Sequence, residues 1–128
     1  MAFGILKADT LTHSTEGSVD TKYAVSGSAK AWIEFNGTGT VATSDSFNIS
    51  GLFDDGGSGL YSTTFTTNMS NANFSTTGAA GERADNGGNR SFGLRAKSTS
   101  GQNCRGFRDG VSADDLAEMC FHTMGDLA

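Results

Sequence analysis

The side chains of this 128-residue chain whose types could do chemistry are few: His13 and His122, Cys104 and Cys120, and two pairs of neighbouring acids, Asp54-Asp55 and Asp114-Asp115. A histidine becomes a general base when a hydroxyl or thiol lies within its reach and a third group orients it. Both histidines sit in strand-like surroundings with no Ser or Cys nucleophile at such a spacing, so no catalytic residue is assigned and the chain reads as a non-enzyme. Asp54-Asp55-Gly56-Gly57-Ser58-Gly59 offers acids and a glycine turn of the kind that suits a hard cation. The D-x-D-x-D spacing and the distal Glu of a calcium loop are missing, which favours a turn over a metal site. Asp114 and Asp115 would serve glycoside hydrolysis only if both faced one groove, whereas neighbouring strand residues point to opposite faces. Neither a CxxC pair nor a Cys/His quartet is present, so no zinc site and no cofactor is expected. Two buried thiols are expected at Cys104 and Cys120 in preference to a disulfide.

Binding has better candidates. Trp32 lies on the nominally polar side of its strand, opposite Ala31, Ile33 and Phe35, so either a second layer or a partner covers it. A subunit interface is favoured there over stacking on a sugar ring. The unpatterned stretch from Ala79 to Asn89 is the best loop, expected to be exposed or at an intersubunit contact and to hold no core residue. In and beside it, Arg83, Asn86, Asn89 and Arg90 offer charged forks and amides suited to acidic sugars or to an acidic neighbour.

The elements that must position these residues follow from period-two patterning. Ala31, Ile33 and Phe35 share one face of a strand, and Asn36-Gly37-Thr38-Gly39 supplies a reversal. Phe47 and Ile49 resume the alternation from Ser46. After the turn at Asp54 to Gly59, Tyr61, Thr63 and Phe65 return on one side, which makes a long-turned hairpin with Phe47, Ile49, Tyr61 and Phe65 in one core. Val19, Thr21, Tyr23 and Val25 alternate with Asp20, Lys22 and Ala24, which predicts a strand. Asn73 to Thr77 predicts a short strand whose Phe74 enters the core. Ser91 to Ser100 predicts a strand with Phe92 and Leu94 inward and Arg95 and Lys97 outward, and Asn103 to Phe107 a shorter one. The tail supports two readings, a helix begun by Ser112 and acids or a strand with Ala117, Met119 and Phe121 on one face, and periodicity alone does not decide between them.

Composition bounds the rest. The length fits a single core. With 18 Gly, no Pro and 36% hydrophobic residues, the chain is poor in helix formers and rich in turn residues, which argues for an all-β domain. A net charge of −5 and an isoelectric point near 4.7 weigh against a nucleic-acid partner, although Arg83, Arg90, Arg95, Lys97, Arg105 and Arg108 gather in the second half. No stretch approaches the ~20 apolar residues of a membrane span, and residues 1–6 do not form a secretory signal, so a soluble product made in the cytoplasm, with no membrane insertion, is expected.

The runs SAKAWIEFNGTGT, SDSFNIS and LYSTTFTTNMSNANFS, with the acidic glycine-rich turn between the last two and the GDLA terminus, resemble a domain of tailed-bacteriophage virion proteins of the marine type, often tail-fibre or structural proteins. The resemblance covers most of the chain, loosely over residues 78–112. It implies a structural or adhesive role in the virion, a trimer, a closing strand in place of a helix at the tail, and no catalytic residues. The sequence therefore predicts an antiparallel β-sandwich, jelly-roll-like and trimeric, of about eight short strands. Residues 1–27 form an N-terminal attachment segment and residues 28–128 the sandwich. The expected role is a tail-fibre or fibre-tip component that touches the host surface, with a surface glycan or other tail or capsid proteins as partners. A head decoration protein that clamps the capsid is the alternative, and a capsule-degrading enzyme the weakest.

Overall fold

The structure is a computed structural model that describes residues 7–82 and 88–128. Its body is an antiparallel β-sandwich. One sheet contains β3 (Ala29–Asn36), β4 (Ala42–Phe47), β7 (Ser75–Gly81) and β11 (Glu118–Met124) in the order β4-β3-β11-β7. The facing sheet contains β5 (Ile49–Asp54), β6 (Leu60–Phe65), β8 (Arg90–Ser98) and β9 (Gly101–Arg108), in which β6 lies between β5 and β9, and β8 takes the other side of β9. The two-residue strand β10 (Ser112–Ala113) extends the β6 side of β9. All the pairings are antiparallel, and the hairpins β3–β4, β5–β6 and β8–β9 each stay within one sheet.

Alternation decides which residues enter the core. Ala31, Ile33 and Phe35 of β3, Tyr61, Thr63 and Phe65 of β6, and Met119, Phe121 and Thr123 of β11 are all buried. The tail is thus a strand, because a two-residue period buries three side chains against the facing sheet where a helical stripe would have no layer to meet. The core has two apolar clusters. The larger joins Ile33, Phe35, Tyr61, Cys104, Leu116, Met119 and Phe121, with Phe35 and Tyr61 edge to face at 5.1 Å. The smaller joins Ala31, Phe65, Met69 and Phe74. Four polar residues lie along the inner faces as well: Gln102 Oε1 accepts from Thr76 Oγ1 at 2.8 Å and Thr123 Oγ1 at 3.5 Å, and Thr63 Oγ1 donates to the Gln102 carbonyl.

Two glycines are dictated by crowding. Gly59 has φ +68°, and a Cβ there would stand 2.6 Å from the Asp114 carbonyl oxygen. At Gly78 of β7 a Cβ would meet the Phe92 ring at 2.5 Å, so the missing side chain is what lets Phe92 pack on the core between the sheets.

Three expectations are corrected. The run through Phe47 and Ile49 is not one strand: Asn48 takes φ +57° and the chain changes sheets there. Asn48 Nδ2 donates to the carbonyls of Lys30 and Thr67, and its Oδ1 accepts from Thr67 N at 2.7 Å, which fixes the corner. Ile49 packs inward while Phe47 ends 52% exposed on the outer face, outside the core it was expected to join. Residues 19–25 are not a strand either. Strands β1 (Thr10–His13) and β2 (Gly17–Asp20) pair with each other alone, and α1 (Thr21–Gly27) follows. With no third strand to accept them, the backbone groups of 21–27 turn to one another within helical turns, while Thr21 N donates to the Asp9 carbonyl at 2.8 Å. Ser28 Oγ and Lys30 Nζ donate to the Val25 carbonyl near its end. Finally, Ala79 to Gly81 belong to β7 and Ala80 packs on the core, so the loop is shorter than its pattern suggested.

Candidate functional site

The outer face of the β4-β3-β11-β7 sheet carries the candidate site. Because β3 is an inner strand with a period of two, Trp32 and Glu34 point away from the core on the side opposite Ile33 and Phe35. Registration then sets their neighbours. Phe47, Trp32, His122 and Thr77 form one row across the four strands, and Asp45, Glu34, Cys120 and Ala79 form the next. A shallow groove of about 330 Å³ runs over this face, lined among others by Trp32, Glu34, Thr77, Ala79, Cys120 and His122. Trp32 is half-buried, Phe47 is exposed, and among the described residues the charges in the next row, Glu34 and Asp45, are carboxylates. The one lysine of β3, Lys30, is bonded to the Val25 carbonyl and to Ser28. The face is therefore flat, aromatic and acidic, suited to an apolar or cationic surface laid against it. The His122 imidazole stands opposite Thr77 in the row of Trp32, and among the described residues no group of three His, Cys, Asp or Glu is placed to hold a metal ion.

The other sequence candidates fall elsewhere. Arg83 and Asn86 lie outside the described residues. Asn89 is exposed, and its carbonyl accepts from Asp109 N at 2.8 Å. Arg90 turns inward: its Nε and Nη2 both bond Glu82 Oε1 at 2.8 Å, and its side chain is only 7% exposed. Arg108 bonds the same oxygen at 2.9 Å and also pairs with Asp114, so these charges tie the ends of β7, β8 and β9 to the segment before β11. Asp115 Oδ1 accepts from Gly59 N at 2.5 Å and from the Tyr61 hydroxyl at 3.1 Å, and that hydroxyl also lies 2.9 Å from the Gly37 carbonyl oxygen. Burial, reinforced by the Asp115 charge, raises the Tyr61 phenol above its ordinary range. Asp54 and Asp55 serve the β5–β6 turn, Asp54 accepting from Gly56 N and Asp55 from Ser62 Oγ, each at 2.8 Å. The cysteines are both free and lie in different sheets. Cys104 is buried, as expected, but Cys120 is exposed on the outer face, contrary to expectation, because it alternates with Met119 and Phe121.

Sequence reasoning missed the partners of Trp32. Phe47 and His122 sit beside it only through cross-strand register, which the local pattern of neither strand reveals. No helix among the described residues is long and apolar enough to cross a membrane. Comparison with protein-family models, with curated proteins and with solved structures finds no match for this chain.

Proposed function

We propose that this chain is a non-catalytic structural component of a bacteriophage virion, a trimeric tail-fibre or fibre-tip protein whose subunits meet through the outer face bearing Trp32 and whose exposed surface contacts the host. The observation that carries the assembly part is the row Phe47, Trp32 and His122 on a flat sheet face, since a solitary sandwich gains nothing from leaving such aromatics wet. Its placement in a virion rests on the resemblance of SAKAWIEFNGTGT and the runs that follow it. The non-catalytic reading is supported by the structural bonds that engage Asp54, Asp55, Asp114 and Asp115.

Two measurements test this reading. Native mass measurement at micromolar concentration is expected to give a trimer, and a monomer that also fails to assemble in the particle removes the reading. Locating the protein in a density map of the particle is expected to place a few copies at the tail. Many copies on the capsid lattice would instead make it a head decoration protein.

A further inference from the structure

The second sheet has an outer face of the opposite character. Along β9, an inner strand of its sheet as β3 is of the other, Gln102, Cys104 and Gly106 are buried, and Asn103, Arg105 and Phe107 face outward. Arg90, Arg95 and Arg108 are each paired with a carboxylate, but Arg105 has no carboxylate partner among the described residues. Its guanidinium lies 5.5 Å from the centre of the Phe107 ring, and its Nε is buried without a hydrogen bond. Phe53 is exposed on the same face, opposite Ser62. On β3, Glu34 is exposed two residues from Trp32, and on β9 Arg105 is two residues from Phe107. Each pair is therefore an aromatic and a charge of opposite sign separated by about 6.8 Å along one strand face. We propose that the acidic aromatic face carrying Trp32 and Glu34 of one copy docks on the basic aromatic face carrying Arg105 and Phe107 of a second copy. This rests on the assembly reading above and names the surface that covers Trp32.

Charge complementarity commits the contact to a second copy in this front-to-back sense: two front faces would oppose Glu34 and Asp45 to their own duplicates, at a cost in repulsion. A four-stranded face of six residues spans roughly 19 Å by 20 Å. That footprint of roughly 400 Å² falls short of the ~800 Å² that each partner contributes to a stable pair, so one contact alone is weak. Because the two patches lie on opposite sides of one sandwich, the contact repeats from copy to copy along an open stack, and closing at three copies needs a contact besides it. The test is charge reversal in the full chain, read by light scattering and native mass against concentration. Glu34→Arg and Arg105→Glu are each expected to raise the concentration at half-assembly about tenfold or more, and the double variant is expected to restore it, which also shows that neither change prevents folding. Assembly unchanged by both single variants overturns this docking mode while leaving a trimer standing. Two disrupted single variants with no rescue in the double mean that the faces do not meet each other, and overturn it as well. A wild-type chain that stays monomeric overturns both this inference and the assembly reading.

Discussion

The two thiols separate by environment, which makes them the sharpest test of the sandwich at the level of single residues. Cys104 is fully buried beneath Tyr61 and Leu94, its cross-strand neighbours, and burial together with the nearby Asp55 charge pushes its thiol up to about 12. A thiol whose folded value lies above its unfolded value of about 8.5 holds its proton more tightly when folded. Its contribution is therefore complete below pH 8.5 and is lost as pH rises from there toward 12. At pH 10 that single group costs about 2 kcal/mol of stability. The melting temperature is expected to fall between pH 8.5 and 10.5, and Cys104→Ala should flatten that fall even though the smaller side chain lowers stability at neutral pH. The raised Tyr61 phenol acts in the same direction from about pH 10 upward, so the window below pH 10 belongs to the thiol. A disulfide-exchange reagent should titrate Cys120 at once and Cys104 only on unfolding; two fast thiols would mean that the core at Cys104 is open.

Strands whose one face is buried were legible in the sequence at β3 and β6, because burial imposes the two-residue period they display, whereas at β11 a helical stripe fitted the same residues as well. The corner at Asn48 was not. Alternation runs on through Phe47 and Ile49 as if nothing happened, and only the positive φ of Asn48 and its bonds to Lys30 and Thr67 send the two residues to different layers. The same blindness hid α1, since the last five residues of the alternation from Val19 to Val25 span little more than one helical turn. It hid the aromatic row around Trp32 too, which pairing between distant strands creates. The polarity of the basic half was visible, but which of the described arginines stands without a described carboxylate was not, since Glu82, Asp55 and Asp114 come to their partners only through the fold. The corner is testable by comparing two rings. Phe65 packs edge to face on Phe74 with 5.8 Å between centres, and Phe65→Ala should cost about 3 kcal/mol or more. Phe47→Ala should change stability in the isolated subunit by less than about 0.5 kcal/mol. Denaturant midpoints decide it, and equal losses at both positions would put Phe47 back in the core. Asn48→Gly keeps the backbone conformation and removes the three side-chain bonds, whereas Asn48→Ala adds strain of about 1 kcal/mol or more, so the alanine variant should be the less stable of the two.

At the scale of the whole molecule, the chain divides its burial unevenly. No residue from Lys7 to Lys30 is buried, and Leu11, Val19, Tyr23 and Val25 remain substantially exposed. A two-stranded hairpin of four-residue strands and a seven-residue helix are each marginal by themselves in water. The main tie between α1 and the sandwich is Lys30, bonded to the Val25 carbonyl and to Ser28. The sandwich, with both of its apolar clusters, begins only at β3. A chain that starts at Ser28 should therefore keep the denaturant midpoint and the slope of the full chain, because unfolding exposes nearly the same buried surface. If residues 1–27 are the attachment segment of a virion protein, the shortened chain should fold, and should assemble through its sheet faces, yet fail to enter the particle. Hydrogen exchange on the full chain gives an independent reading: amides of residues 10–27 should exchange far faster than those of β3, β6, β9 and β11 in free subunits, and slow markedly in assembled particles. Loss of folding in the shortened chain, or slow exchange of residues 10–27 in the free subunit, would mean that this segment is part of the sandwich after all.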